Sequence, residues 1–115
     1  MKIKRASDPV PPSSDSAVEI KIWKVLQSVV DPELHYNIVD LGLVYDVSFA
    51  NGEAKLRMTL TSPGCPYGPY LIHETRQAVR SVDGVERVGL ELVWDPPWSP
   101  ARMTEEIRLE MGFDI

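Results

Sequence analysis

Leu43-Val44-Tyr45-Asp46-Val47-Ser48-Phe49-Ala50-Asn51-Gly52-Glu53-Ala54-Lys55-Leu56-Arg57-Met58-Thr59-Leu60 alternates in character on both sides of Asn51-Gly52. That dipeptide suits a two-residue type I′ turn, because both central positions need positive φ, and the turn dictates which residues face each other across the strands. The implied register pairs Phe49 with Ala54, Val47 with Leu56, Tyr45 with Met58 and Leu43 with Leu60 on one apolar face. The other face sets Asp46 against Arg57 and Ser48 against Lys55. A hairpin of this kind needs a single covering layer of helices.

Those helices are legible on both sides. Upstream, Ser16 and Glu19 have capping-box spacing, and Val18, Ile22, Val25, Leu26 and Val29 then share a helical face until Asp31-Pro32 stops it. Asp31 as cap with Pro32 in the first position starts a short turn through Glu33 and Leu34. Downstream, residues 61–69 are dense in Pro and Gly and read as a loop. Leu71, Thr75, Ala78, Val79 and Val82 mark a second amphipathic helix closed by Asp83-Gly84. Val88, Leu90, Leu92 and Trp94 alternate with Arg87, Gly89, Glu91 and Val93 as a third strand, which the prolines of Asp95-Pro96-Pro97-Trp98-Ser99-Pro100 break. A last helix is expected with Ser99 as cap, Met103, Ile107 and Met111 on its inner face and Gly112 at its end. The order predicts a two-layer α+β domain over residues 16–115, behind a disordered Pro- and Ser-rich leader over residues 1–15. The connection through the second helix is a right-handed crossover, so the small three-stranded sheet is mixed.

A chain of 115 residues has the size of one domain, and 43% hydrophobic with 25% charged residues suits a water-soluble core. No run approaches the roughly 20 apolar residues of a membrane helix, and the basic start lacks a signal-peptide core. A net charge of −5 without a basic cluster argues against nucleic acid as a partner. The lone cysteine closes no internal disulfide and points to a reducing, cytoplasmic home. One Cys and two His cannot form a self-contained structural zinc site. Phosphate-binding glycine motifs and the G-x-S-x-G elbow are absent, so nucleotide use has no support.

Cys65 lies in Ser62-Pro63-Gly64-Cys65-Pro66, between a strand and the start of a helix, where the dipole favours a thiolate, the form that binds soft metals. Packing is the competing role, but a loop between Gly64 and Pro66 is an unusual place for it, which puts function ahead. Asp31, Glu33 and Asp40 could supply oxygen ligands to a metal, or serve as caps and turn braces. His35 and His73 are weaker candidates, with His73 on the exposed side of its helix. Trp94, Trp98, Pro96, Pro97 and Met103 could form a partner surface, for which Trp98, Pro97 and Met103 are the candidates, or a lid on the core.

Asp31-Pro32-Glu33, Asn37-Ile38-Val39-Asp40-Leu41-Gly42-Leu43-Val44, Thr59-Leu60-Thr61 with Gly64-Cys65-Pro66, and Asp95-Pro96-Pro97-Trp98 with Arg102-Met103 together resemble the family of metal–sulfur cluster assembly factors that includes SufT-like and PaaD-like proteins. The likeness runs from about residue 17 to 112. It implies the fold of iron–sulfur cluster assembly domains and a non-catalytic role in maturing iron–sulfur proteins. The family's motif cysteine falls on Cys65 and its acidic positions on Asp31, Glu33 and Asp40. PaaD-like members serving a multicomponent oxygenase are longer and carry extra cysteines toward the C-terminus, so the general assembly branch is favoured over such an accessory role. The implied cargo is labile iron or an iron–sulfur cluster, and the implied partners are assembly machinery and apo client proteins. A homodimer is one way to complete a metal shell that a single thiol leaves open. An adaptor that recruits clients without metal is the alternative.

Overall fold

Asn51 and Gly52 take φ of 54° and 78° in the computed structural model, which describes residues 14–112. They join β1 (Val44–Ala50) to β2 (Glu53–Met58), and Phe49–Ala54, Ser48–Lys55, Val47–Leu56 and Asp46–Arg57 pair as the turn requires. The register then shifts: Val44, not Tyr45, faces Met58, and the Leu43–Leu60 pair does not form. Instead the Leu43 carbonyl accepts the Thr59 N–H at 2.8 Å. Tyr45 is the extra residue of a bulge, which re-aims its side chain. Its phenol donates to the Pro96 carbonyl at 2.7 Å, and the Arg102 guanidinium lies 4.1 Å from its ring centroid.

The third strand, β3 (Arg87–Leu92), runs parallel to β2 in the order β1-β2-β3, so the sheet is mixed as expected. Its alternation does not extend to Trp94. After Leu92 the Val93 N–H closes the ladder on the Met58 carbonyl, Val93 is buried, and Trp94 is left 40% exposed.

Helix α1 (Ser14–Leu26) begins two residues before the expected cap, and so claims the end of the segment read as leader; residues 1–13 lie outside the described part. The Glu19 carboxylate reaches across to β1, where it accepts the Phe49 N–H at 3.2 Å. The helix stops at Leu26, and Gln27, Ser28 and Val29 continue with tighter bonds to carbonyls three residues back, which keeps Val29 in the core. Helix α2 (Gly68–Arg80) starts before Pro69, because proline in a first turn forfeits no hydrogen bond, and buries Leu71, Thr75 and Val79.

The expected last helix is two pieces. A 3-10 turn, Pro100–Arg102, gives way to extended backbone at Met103 and Thr104, and α3 (Glu105–Glu110) follows with Thr104 as its cap. The Thr104 N–H is held by the Asp40 carbonyl at 2.9 Å, which pulls the chain out of helical geometry. Ile107 is buried, but Met111 is exposed rather than on an inner face.

Ile22, Leu26, Leu43, Val47, Leu56, Leu71 and Val79 form the centre of the core between helices and sheet. The segments entering β1, leaving β2 and leaving β3 all belong to one end of the sheet, because β2 and β3 are parallel and β1 is antiparallel to them. Those segments contain the candidate residues. No described helix is long and apolar enough to cross a membrane.

Candidate functional site

The segment before β1 is a closed lasso. The Asp31 N–H donates to the Tyr36 carbonyl at 2.9 Å, the His35 N–H donates to the Asp31 carbonyl at 2.7 Å, and His35 takes φ of 68°. Asp31 is 1% exposed, and its Oδ1 accepts the Glu33 and Leu34 N–H groups at 2.7 and 2.9 Å. This is the cap that Asp-Pro spacing predicts. Asn37 repeats the device: its Oδ1 accepts the Val39 and Asp40 N–H groups at 3.0 and 2.9 Å, and its Nδ2 donates to Asp40 Oδ2 at 3.0 Å. Sequence reasoning did not assign this job to Asn37, although Asn is a good acceptor for backbone donors two and three residues on. Asp40 is therefore a turn brace, while Glu33 is exposed.

The segment after β3 lies across that lasso as a strap. Trp98 Nε1 donates to the Leu41 carbonyl at 2.7 Å, and the Tyr36 phenol donates to Glu110 Oε1 at 2.5 Å. Acceptance by Glu110 holds the Tyr36 phenol above its ordinary 10.0, with burial and the neighbouring charge adding to the effect. Gly42, at φ of 76°, lets the Arg102 backbone pass so close that a Cβ there would stand 2.2 Å from the Arg102 carbonyl oxygen. Met103 is 3% exposed and belongs to the core, so it cannot be part of a partner surface. Trp98 is half-buried against the core and acts largely as a lid; Pro97 is exposed.

Cys65 lies on the segment that leaves β2. Its N–H donates to the Ser62 carbonyl at 3.2 Å, and its carbonyl accepts the Gly68 N–H at 3.1 Å. The residue is half-buried. It precedes Gly68, where α2 begins, and Tyr67 is the N-cap residue. The thiol thus stands before the first helical turn rather than at it, and the dipole effect falls off over that distance. A Cβ added at the neighbouring Gly64 would meet nothing within 4 Å, so this flank of the loop is open.

Among the described residues, no three His, Cys, Asp or Glu side chains gather as a metal-holding group. Cys65, Asp31, Glu33 and Asp40 do not stand together as such a group, and one oxygen of Asp31 and one of Asp40 accept backbone or amide N–H donors. What the end of the sheet offers is one half-buried thiol, packed against the edge of the core, and a lasso braced by its own carboxylates. A thiolate in that position can contribute one ligand to a soft metal whose other ligands come from elsewhere.

Residues 19–90 match the family described as iron–sulfur cluster assembly protein. A relative from Porphyromonas gingivalis, named Fe-S protein maturation auxiliary factor, is 43% identical over 96 residues, covering 83% of this chain and 91% of that one. The Bacillus subtilis Fe-S protein maturation auxiliary factor YitW is 38% identical over 99 residues, covering 85% and 97% respectively. Among solved structures, a Bacillus anthracis domain of unknown function superposes with a TM-score of 0.81 at 38% identity, covering 88% of this chain and 97% of that one.

Proposed function

The chain belongs to the iron–sulfur cluster assembly protein family, and from that premise we propose that it is a maturation factor that takes iron or an iron–sulfur cluster transiently on Cys65 and helps pass it to client proteins. The observation that carries this reading is the half-buried thiol on the loop after β2, at the sheet end where the lasso and the strap also meet. A cluster usually takes four thiolates, and this chain has one cysteine. The cargo's remaining ligands come from a second copy, a small thiol or the receiving protein, and a shell shared in this way favours release.

The role is delivery rather than turnover. Asp31 and Asp40 shape the lasso through one oxygen each, and Glu33 is the exposed motif carboxylate that can offer oxygen to cargo. Coverage of more than nine-tenths of both maturation-factor relatives' lengths supports the general assembly role over one tied to a particular oxygenase. Anaerobic incubation of wild type and Cys65→Ser with ferrous iron and sulfide tests the reading. Visible absorption and activation of an apo iron–sulfur enzyme are expected for wild type alone. Equal absorption and equal activation by the variant overturn it.

A further inference from the structure

The described surface carries concavities of two kinds. One lies on the outer face of the sheet, where the charges answer each other: Asp46 pairs across the strands with Arg57, whose Nε is 3.7 Å from Glu91. The other, of about 420 Å³, runs between the end of α1 with residues 28–30 and the face of α2. Val25, Val29 and Ala78 line it, together with Val30 and Tyr70, which remain 46% and 50% exposed. Large apolar side chains left open side by side are a common mark of a binding surface. The hydroxyls of Ser28 and Ser81 in this groove donate to their own chain, to the Val25 and Ala78 carbonyls at 2.6 Å each. The Glu74 carboxylate, also in the groove, has no hydrogen-bond or ion-pair partner among the described residues. The groove therefore sets the exposed side chains of Val30 and Tyr70 beside polar groups and one carboxylate that no described residue pairs with.

We propose that this groove docks an apolar segment of a partner protein that carries a lysine or arginine, the cation meeting Glu74. Its walls adjoin both candidate loops, since Val30 directly precedes Asp31 and Tyr70 stands in the first turn of α2 after the Cys65 loop. A partner held there lies against the two helix ends that lead into the Asp31 and Cys65 segments. The identity of that partner as a client or assembly protein rests on the function proposed above, but the docking chemistry does not. The net charge of −5 also favours the approach of a basic segment.

The test uses isotope-labelled full-length protein and two synthetic amphipathic peptides that differ only in a central Lys or Glu flanked by leucines. The Lys peptide is expected to shift the amide signals of Val30, Tyr70, Gln77 and Ala78, and to bind Glu74→Gln about fivefold more weakly, the upper range for an exposed ion pair. Glu74→Lys is expected to reverse the preference and take the Glu peptide, which shows that the variant is folded and the groove intact. Equal binding of both peptides, shifts confined to other surfaces, or no response to either Glu74 substitution overturns the proposal. So do shifts of the same amides with protein concentration alone, which assign the groove to a second copy. Cys65→Ser is expected to bind the Lys peptide normally, so loss of cargo binding and loss of docking are read separately.

Discussion

Replacing Gly42 with alanine tests how the strap and the lasso are locked together. At φ of 76° an L-residue is strained by roughly 1–2 kcal/mol. The added Cβ would also stand 2.2 Å from the Arg102 oxygen and 2.7 Å from its carbonyl carbon, and these are backbone atoms that cannot rotate aside. The strap must lift, which breaks the Trp98–Leu41 and Thr104–Asp40 hydrogen bonds, worth about 1 kcal/mol each. The sum is about 3–4 kcal/mol, or a fall in Tm of roughly 12–30 °C for a domain near 100 residues. Urea denaturation followed by tryptophan fluorescence and thermal unfolding by circular dichroism measure it. Gly112→Ala is the control, with a similar φ of 84° but nothing within 4 Å of the new Cβ, and it is expected to cost no more than about 1–2 kcal/mol. If Gly42→Ala costs no more than Gly112→Ala, the close approach does not lock the strap and the reasoning fails.

Asp31→Ala is expected to cost about 1–3 kcal/mol by leaving two backbone donors unpaired, while Asp31→Asn, which keeps an acceptor, costs less; equal losses in urea titrations would count against the capping role. Met103→Ala is expected to cost about 2–5 kcal/mol as a core truncation, and a near-neutral result would return Met103 to the surface. The raised Tyr36 pKa links folding to pH: the bond to Glu110 stabilises the fold fully below the unfolded value of 10.0, and that contribution fades as pH rises through the higher folded value. Ultraviolet titration is expected to show one late phenolate in wild type that moves to lower pH in Glu110→Gln. Cys65→Ala is expected to change stability by less than about 1.5 kcal/mol, since the side chain is half-buried on a loop, while removing cargo binding; a larger loss would assign the residue to packing.

The sequence by itself determined the elements whose causes are local. Asn51-Gly52 set the hairpin and its first four facing pairs, apolar spacing placed the first two helices and the crossover strand, and Asp-Pro spacing identified the Asp31 cap, because each interaction spans only a few residues or repeats with a regular period. The motif order pointed to the family for the same reason, as short words that survive without knowledge of the fold. Tertiary structure decided what depends on partners distant in the chain. The bulge at Tyr45 answers to Pro96 and Arg102, the break at Met103 answers to Asp40, and the need for glycine at position 42 comes from Arg102. Likewise, no spacing rule could tell that Asp40 would be held by Asn37, or that the motif carboxylates would not gather round Cys65. Those outcomes follow from how three segments pack at one end of a sheet, and periodicity along a chain carries no information about that packing.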